Sequence, residues 1–333
     1  MIVLAGDIGG TKVDLGLFSR TDPAGPLVER AQARYPSRVY RDLESICAEF
    51  LEGRGVSPGA AAFGIAGPIV NGRCEATNLP WVIEQTSLAR QLRCPVGMLN
   101  DLEATAHGIP ELGAGQIHAL NEGQEVREAA RAIVAAGTGL GEAYMVWDAS
   151  LGRYAPSASE GGHCDYPARN SGEIEMLGHL IGRFGRVSVE RVVSGMGILE
   201  IFGYLADTGR YDVPAQLRET IAAGDAAAEI SRAAMAERAP ICVETMRRFV
   251  AAYGAEAGNL ALKVMALGGL YVGGGIAPKI LPLLTDGLFM SSFLDKGRFA
   301  PLMSRIPVRV ILNERAALLG AAAVAATSPL ERH

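Results

Sequence analysis

The chain begins with a polar interruption between two apolar segments, in the stretch "VLAGDIGGTKVDLGLF" at residues 3–18. Apolar residues at 13, 15 and 17 alternate with Asp14 and Gly16, and this period of two predicts a strand. A glycine turn that follows a strand is typical of phosphate binding when it opens a helix. Here the turn opens a second strand, so the pattern predicts a glycine-rich hairpin.

The same pattern occurs again later in the chain, together with two further matches in the same order. "IVAAGTGLGEAYMVW" at residues 133–147 also predicts strand, glycine turn and strand. "FGIAGPI" at 63–69 resembles "VGGGIAP" at 272–278, and "PVGMLNDLEATAHG" from Pro95 resembles "PVRVILNERAALLG" from Pro307. Ordered internal similarity of this kind predicts a duplicated α/β domain.

Helical periodicity and turn residues predict the elements that lie between these matches. Ser188 is a candidate N-cap for one of the helices, and the pair Gly268-Gly269 is expected to end another. The predicted helices are Leu43–Leu51, Gln85–Leu92, Ser188–Leu205, Ile241–Leu267 and Glu314–Ala326, and short strands are predicted at Val96–Leu99 and Leu270–Val272.

The length of 333 residues, 49% of them apolar, favours two lobes over one. The charged, loop-rich stretch from Pro110 to about Arg131 is the candidate hinge. The last helix is expected to pack back on the first lobe. We therefore predict a small α/β lobe of residues 1–109 plus about 312–333, and a large α/β lobe of about 110–311.

Composition excludes several classes of protein. The net charge is −5 with scattered arginines, which gives little electrostatic support for a nucleic-acid partner. The five cysteines form no CxxC pair, so neither a zinc site nor a disulfide framework is indicated. No basic, apolar leader and no sufficiently long apolar run is present. We expect a cytoplasmic protein that does not bind membranes.

Two glycine hairpins can hold a polyphosphate from both sides of a cleft between the lobes. Glycine lets backbone N–H groups approach phosphate oxygens without obstruction by side chains. The chain has no GxxxxGK[ST] motif, and neither glycine turn opens a helix as a Rossmann fingerprint would. A different nucleotide-binding architecture is therefore indicated.

The motifs "DIGGTK", "LND", "GTGLG", "SEGGH", "SVERVVSG" and "VGGGI", in this order, resemble the bacterial ATP-dependent glucokinases of the hexokinase/actin-like ATPase superfamily. The resemblance spans about Gly6 to Gly320. The ROK sugar kinases share "GDIGGTK", but they typically carry a CxCGxxGC zinc motif that this chain lacks. Because the first glycine loop begins near residue 7, we also expect no DNA-binding domain before it. The resemblance implies duplicated actin-like ATPase (ribonuclease H-like) domains, in two lobes with a central cleft.

The resemblance also implies roles at the nucleotide. Asp7 is expected near Mg2+, through water, as suits a hard oxygen ligand, although an Asx turn would also explain this residue. The glycines at 273–275 could equally serve to pack their strand tightly on the long helix. The implied ATP-binding residues are Gly9, Gly10, Thr11, Lys12, Gly137, Thr138, Gly139, Gly273, Gly274, Gly275 and Ile276.

At the sugar, the resemblance implies that Asp101 is the general base and that Asn100, Glu160, His163 and Glu190 bind hydroxyls. Asp101 follows a predicted strand at its C-terminal end, where open α/β sheets bind ligands, and a carboxylate can accept the proton of an attacking hydroxyl. The three acids Asp101, Glu160 and Glu190 suit a neutral polyol and would repel a phosphorylated sugar. Asn78 in "TNLPW" is a weaker candidate.

Structural explanations remain open for the same residues. Asn100 and Asp101 could be a helix N-cap pair. Glu190 could be present because the macrodipole favours an acid in the first turn of a helix, and His163 could have a structural role without binding a ligand. The repeat partner, Asn313-Glu314, is predicted at the equivalent place of the other lobe, with a capping role and no catalysis.

The expected activity is transfer of the γ-phosphoryl group from ATP-Mg2+ to the 6-hydroxyl of glucose. The motifs leave open another hexose or an N-acetylhexosamine, ADP or polyphosphate as donor, and a sugar sensor without turnover. An intact "LND" and two phosphate loops argue against the sensor. An actin-like ATPase would need an assembly surface in place of the "SEGGH" ligands. The family resemblance implies a homodimer.

Overall fold

A computed structural model describes residues 1–22, 25–76 and 79–327. The chain divides into two compact units: unit 1 is Met1–Ala114 together with the segment from Asn313 onward, and unit 2 is Gly115–Leu312. The sequence analysis places the first break after residue 109, whereas the contacts place it after Ala114.

The described residues form strands in both units, and these are numbered in chain order. They are β1 Ile2–Ile8, β2 Lys12–Ser19, β3 Val28–Pro36, β4 Ala60–Ile65, β5 Ile69–Val70, β6 Arg73–Glu75, β7 Val82–Glu84, β8 Val96–Asn100, β9 Ile117–Asn121, β10 Arg131–Ala136, β11 Leu140–Asp148, β12 Arg153–Ser159, β13 Leu270–Gly273 and β14 Val308–Ile311.

The α-helices of the described residues are numbered in the same way. They are α1 Leu43–Leu51, α2 Gln85–Leu92, α3 Asp101–Gly108, α4 Ser171–Phe184, α5 Gly195–Asp207, α6 Ala215–Ala223, α7 Ala226–Met235, α8 Pro240–Val264, α9 Leu281–Leu284, α10 Leu288–Leu294, α11 Ala300–Met303 and α12 Ala316–Thr327.

The strand orders confirm the duplication. Unit 1 has a sheet in the order β3-β2-β1-β4-β8, and unit 2 has a sheet in the order β12-β11-β10-β13-β14-β9. In unit 1, β2 pairs antiparallel with both β1 and β3, and β1 also pairs parallel with β4. In unit 2, β11 pairs antiparallel with both β10 and β12, and β10 also pairs parallel with β13. A small sheet, β5-β6-β7, accompanies the larger one in unit 1.

Alternation along β1 supplies two cores, one on each face of the sheet of unit 1. Leu4 faces a core with residues of α1, while Val3 and Ala5 face a second core with Leu318 of α12. Helix α12 therefore packs on unit 1, as predicted. The core of unit 2 is built around α8, whose Phe249, Tyr253 and Leu260 are buried.

Strand β2 departs from the expected half-buried pattern. Its residues from Val13 to Ser19 are all buried, because β1 and β3 flank the strand and both faces of the sheet are covered. Asp14, expected from alternation to face the polar side, is only 3% exposed. A buried carboxylate of this kind requires charged partners, and these are described below.

Two predictions about secondary structure are wrong. The helix expected at Ser188–Leu205 is a 3-10 helix, Val189–Arg191, followed by α5, and the side chain that caps α5 is Ser194 instead of Ser188. Helix α8 ends before the glycine pair, because Met265 adopts a left-handed conformation with φ 51°. Within the loop-rich stretch 110–131, β9 adds to β14 as an antiparallel edge strand.

All five cysteines are free thiols, as expected from their spacing. Among the described helices, none combines the length and apolar composition that a bilayer span requires.

Candidate active site

The first glycine turn, between β1 and β2, is held by a serine from outside the hairpin. The N–H of Gly9 donates to the Lys12 carbonyl at 2.9 Å. Ser37, which is fully buried, donates its N–H to the Thr11 carbonyl at 3.1 Å and its hydroxyl to the Gly9 carbonyl at 2.8 Å. Within the described residues, the N–H groups of Gly10 and Thr11 have no hydrogen-bond partner. These amides can therefore bind an anion, as the glycine pattern predicts.

Asp7 and Asp14 lie directly opposite each other on β1 and β2. Arg34 of β3 binds Asp14 through two hydrogen bonds, Nε to Oδ1 at 2.7 Å and Nη2 to Oδ2 at 3.1 Å. Lys12 places its Nζ 3.6 Å from Asp14 Oδ2. Asp14 and Arg34 were not among the predicted site residues. In the sequence, Asp14 is visible only as a charged residue within an apolar strand. Its burial depends on the third strand, which the local pattern does not reveal.

The Asp7 carboxyl group is surrounded by protein atoms, although the residue keeps a partly exposed edge. Burial raises its pKa to about 7, and the negative charges of Asp101 and Asp14 act in the same direction. Lys12 and Arg34 oppose this shift. Asp7 and Asp101 therefore lie near enough to interact electrostatically, as two predicted site residues of unit 1.

Asp101 is the first residue of α3, directly after β8. Asn100 is the N-cap: its side chain accepts from the Leu102 N–H at 2.9 Å, and Glu103 accepts from the Asn100 N–H at 3.1 Å to complete a capping box. The Asn100 amide also donates to the Gly67 carbonyl at 3.4 Å. The capping explanation for this pair is thus confirmed for Asn100, while the chemical role of Asp101 stays a prediction.

Close backbone packing holds α3 in place below Asp101. A Cβ on Gly320 of α12 would lie 1.7 Å from the Ala104 carbonyl oxygen, and one on Gly108 would lie 2.0 Å from the Ala316 carbonyl oxygen. Only glycine permits this approach, so the small residues of "PVRVILNERAALLG" serve to seat the helix that carries Asp101.

Glu314 does not lie where the repeat predicts. Asn313 and Glu314 belong to unit 1, although the strand before them, β14, belongs to unit 2. The Asn313 side chain accepts from the Arg315 N–H at 2.9 Å, immediately before α12. The chain passes between units at this point, so the equivalence in sequence is not an equivalence in place.

The second glycine turn, Gly137-Thr138-Gly139, joins β10 and β11 in unit 2. Its Gly137 N–H donates to the Gly139 carbonyl, and its Gly137 carbonyl accepts from Gly195 N–H at the start of α5, both at 2.8 Å. The N–H groups of Thr138 and Gly139 have no hydrogen-bond partner in the part of the chain that the structure describes. This turn also presents amides that can bind an anion.

Glu190 connects the second glycine turn with the predicted sugar ligands. Its Oε2 accepts from the Leu140 N–H at 2.9 Å, and its Oε1 lies 4.0 Å from His163 Nδ1. His163 Nε2 lies 3.8 Å from Glu160 Oε2. The structure therefore brings Glu160, His163 and Glu190 together in unit 2. Glu190 itself is in the first turn of a short 3-10 helix and contacts the second glycine turn.

The turn Gly273–Ile276 packs against the start of the same loop. Gly274 has φ +82°, and a Cβ there would lie 2.2 Å from the Ala136 carbonyl oxygen, which also accepts from the Ile276 N–H at 3.2 Å. Gly274 therefore packs on β10, while the expected contact with α8 is made by Tyr253 at the Gly273 carbonyl. No atom lies within 4 Å of a Cβ built on Gly275, which leaves open space beside it.

Tyr253 of α8, which the sequence analysis missed, joins these strands. Its buried hydroxyl lies 3.2 Å from the Ala136 nitrogen, 3.3 Å from the Val134 oxygen and 3.2 Å from the Gly273 oxygen. A phenol on a helix gives no sequence signal of such a contact, since it looks like any other core aromatic.

Asn78 lies outside the described residues. In the described ranges, no cluster of three or more His, Cys, Asp or Glu side chains could hold a metal ion. A cation at Asp7 would therefore need further oxygen ligands, from a nucleotide or from water.

Comparison with known proteins identifies the family. Residues 4–328 match the family model described as Glucokinase. A glucokinase from Nostoc punctiforme is 40% identical, over 98% of this chain and 99% of its own. The crystal structure of a glucokinase from an Antarctic psychrotroph superposes with a TM-score of 0.84 at 29% identity, covering 98% of this chain and 99% of the other.

A ROK family glucokinase from Streptomyces griseus, in complex with glucose and AMPPNP, has a TM-score of 0.66 at 22% identity, covering 98% of this chain and all of the other. At this identity it supports the actin-like ATPase fold alone. The match of the family model over nearly the whole length, together with relatives at about 40% identity, shows that the chain belongs to the glucokinase family.

Proposed function

We propose that this protein transfers the γ-phosphoryl group of ATP to the 6-hydroxyl of glucose, forming glucose 6-phosphate and ADP. Membership of the glucokinase family supports this activity. The observation that carries the residue assignment is the position of Asp101, at the C-terminal end of a parallel strand and at the start of α3, within electrostatic reach of Asp7.

Asp101 is the proposed general base. A sugar hydroxyl is a poor nucleophile, and a carboxylate that accepts its proton makes the oxygen able to attack phosphorus. The N-terminus of α3 favours negative charge at this position. The capping box and the glycine contacts with α12 hold the start of the helix in place, so that the carboxylate is positioned before the sugar binds.

The proposed sugar ligands are Glu160, His163 and Glu190, with Asn100, Asp101 and Asn78. Carboxylate oxygens accept from hydroxyls, while an amide or imidazole can donate as well as accept. Glu190 already uses one oxygen on the Leu140 N–H, so its other oxygen is the one available to a sugar. Because the set is rich in acids, it favours a neutral polyol and disfavours a phosphorylated product.

The proposed nucleotide ligands are the two glycine turns and the segment Gly273–Ile276. The N–H groups of Gly10, Thr11, Thr138 and Gly139, without partners in the described residues, suit phosphate oxygens. Lys12 would add positive charge, and the open space at Gly275 suits a flat nucleoside.

Mg2+ fits the residues around Asp7. Burial and the neighbouring acids raise the pKa of the Asp7 carboxyl group to about 7 despite the opposing charges of Lys12 and Arg34, and a divalent cation would add the positive charge that favours the carboxylate. Mg2+ commonly binds through one or two carboxylates together with substrate phosphates and water. When bound, it would neutralise the charge that develops on the transferred phosphoryl group. Asp7 would orient it, directly or through water.

We further propose a cytoplasmic homodimer. Four of the five cysteines are buried free thiols, which suits a reducing compartment. Analytical ultracentrifugation of the purified protein would show a single species of twice the chain mass. A monomer at micromolar concentration would contradict the dimer without affecting the proposed activity.

A panel of sugars and phosphoryl donors tests the proposed function. Purified protein is incubated with Mg2+, with glucose, mannose, fructose or an N-acetylhexosamine, and with ATP, ADP or polyphosphate, and the sugar phosphate is measured. Glucose with ATP is expected to give the highest kcat/KM. Turnover of another sugar alone would refute the specificity. ATP hydrolysis or sugar binding without any sugar phosphate would refute the kinase.

A further inference from the structure

Two acidic residues in unit 2 are buried although neither belongs to the proposed sugar or nucleotide ligands. Glu142 of β11 is 1% exposed, and Glu256 of α8 is 3% exposed. Side chains of this charge are rarely buried so completely unless a partner neutralises them. Glu142 lies next to the "SEGGH" segment, and Glu256 interacts with Glu142.

Glu142 lies directly against the segment that carries the proposed sugar ligands. A Cβ on Gly161 would lie only 1.9 Å from Glu142 Oε2, so the carboxyl group occupies the space that any side chain at position 161 would need. Glu142 pairs in register with Ser159 on β12, and the Ser159 hydroxyl accepts from the Gly161 N–H at 3.1 Å. The Glu142 carboxyl group therefore packs against Gly161, which lies between Glu160 and His163 in the chain.

Glu142 and Glu256 interact, since the negative charge of Glu256 and a side-chain hydrogen bond with it both raise the pKa of Glu142. Glu142 Oε1 is buried, and no donor among the described residues reaches it. A buried acceptor left without a donor is costly. One proton held between the two acids removes this cost, because the protonated group becomes a donor.

The cations around the pair balance one negative charge more readily than two. Lys263 Nζ lies 3.5 Å from Glu256 Oε1, and Asn259 donates to Glu256 Oε2 at 2.9 Å. Lys296 binds the Asn259 side chain at 2.7 Å and the Ala255 carbonyl at 3.0 Å, without contacting either acid directly. On the loop side, the neighbouring titratable groups are Glu160 and His163, which approach each other.

Burial raises the pKa of Glu142 to about 7, with the charge of Glu256 as the next contribution and Lys263 opposing it. Two carboxylates in contact cannot both ionise cheaply, since like charges at this separation disfavour the second ionisation. The pair therefore carries one proton in acidic solution and loses it as the pH rises past neutrality.

We infer that Glu142 and Glu256 share one proton, and that this singly charged link between α8 and the Glu160–His163 segment positions the sugar-binding side chains. Glu142 is a positioning residue, which acts through Gly161 and does not contact the sugar. Loss of the proton places a second negative charge in the core behind the loop and loosens it.

Glu142→Gln tests the shared proton, because the amide imitates the protonated acid and donates to Glu256. An unfolded glutamate titrates near 4.5, whereas the folded group titrates near 7. Between these values the folded wild type holds a proton that the unfolded chain has lost, so its stability falls as the pH rises. The denaturation midpoint of the variant should match that of the wild type near pH 4.5 and exceed it increasingly up to pH 7, with a constant difference above.

Two further variants keep this measurement decisive. Glu256→Gln should also weaken the pH dependence, since it removes the opposing charge, and it provides a second test if Glu142→Gln does not fold. Glu219→Gln, on the exposed face of α6, is the control for a change of net charge and should follow the wild type. If the denaturation midpoints of the wild type and of both buried variants changed in parallel between pH 4.5 and 8, the shared proton would be refuted.

Hydrogen exchange of the loop amides tests the positioning role without any substrate. The N–H groups of His163 and Cys164 donate to the Glu160 and Gly161 carbonyls at 3.0 and 2.9 Å. Relative to Glu142→Gln, the wild type should exchange these amides faster at pH 8 and equally at pH 6, with the amides of α1 as reference. Equal exchange at both pH values would refute the positioning role even if the proton is shared.

A kinetic consequence rests on the proposed function. The wild-type KM for glucose should rise several-fold from pH 6 to pH 8 while that of Glu142→Gln changes less, with similar effects of pH on kcat in both. A chain that phosphorylates no glucose would refute the proposed function, and the stability and exchange measurements would still decide the inference. A common KM profile in an active enzyme would refute the inference alone.

Discussion

The two glycine hairpins share one backbone plan but carry different chemistry. Both join the first two strands of their sheet through a short glycine turn. At the second pair of facing residues from each turn, Asp7 lies opposite Asp14 in unit 1, whereas Ala135 lies opposite Gly141 in unit 2. The duplicated fold therefore supplies two glycine turns with amides that can bind an anion, and two acids lie directly opposite each other at this pair in the first hairpin but not in the second.

The two turns are also held by different means. Ser37 holds the first through its hydroxyl and its N–H, both within unit 1. The second is held by the Glu190 carboxylate and by Gly195 at the start of α5. Because Glu190 is also a proposed sugar ligand, the second turn is linked to the sugar site in a way that the first is not.

The largest expected effect distinguishes the acid that follows β8, Asp101, from the acid that follows the corresponding strand β14, Glu314. Asp101→Asn keeps the size of the side chain but removes the basic oxygen, so kcat should fall by at least about 100-fold. Glucose affinity, measured by calorimetry, should change far less because the amide still binds a hydroxyl. Glu314→Gln, the control at the other strand end, should leave kcat within a few-fold. Similar losses in both variants would show that the strand ends are structural caps.

The next effect tests whether the acids distinguish the first hairpin. Asp7→Asn removes the charge proposed to orient Mg2+, and the Mg2+ concentration for half-maximal activity should rise by about 10- to 100-fold, as is typical for outer ligands of a metal. Activity titrated with Mg2+ at saturating ATP measures this. An unchanged half-saturation point in a folded variant would mean that Asp7 serves only the turn.

A smaller effect tests the link between the second turn and the sugar. In Gly139→Ala, the new Cβ would lie 2.3 Å from Glu190 Oε2 and must displace it. The KM for glucose should rise roughly tenfold, the equivalent of one hydrogen bond to a charged group. Gly137→Ala has open space around its Cβ and should leave the KM for glucose unchanged. A rise in the second variant instead would place the linkage elsewhere.

The smallest effect compares the two serines that support the hairpins. Ser37→Ala loses one hydrogen bond to the Gly9 carbonyl, and the free energy of unfolding should fall by about 1 kcal/mol. Ser194→Ala loses both the bond to the Glu190 carbonyl and the cap at Gly197, so its loss should reach about 2 kcal/mol. Urea denaturation of both variants gives the ranking. A reversed order would make the first hairpin the more dependent on its serine.

Local patterns predicted the repeated strand order and several helix bounds. Helix α1 begins and ends where its apolar spacing indicates, with Asp42 as its cap. The split of the helix expected from Ser188 was missed, because either Ser188 or Ser194 could cap a helix by sequence alone. The Ser194 hydroxyl caps α5 because the preceding turn is bonded to Gly137 and Glu190, contacts that no local rule contains.

The site residues divide in the same way. Motifs indicated Glu160, His163 and Glu190, and the structure brings these three together. It could not be foreseen that Arg34 neutralises Asp14, or that Tyr253 contacts three strand residues. Those partners lie 20 or more positions away in the sequence, and their pairing depends on which strands become neighbours.

By itself, the sequence determined the fold class, the family, the two glycine hairpins and the acid at the end of β8, since each depends on residues close together in the chain. Only the tertiary structure decided that Asp14, Glu142 and Glu256 are buried. Burial and charge pairing depend on which elements pack together. A residue that is polar in sequence acquires its shifted pKa or its partner only when the sheet and helices around it have formed.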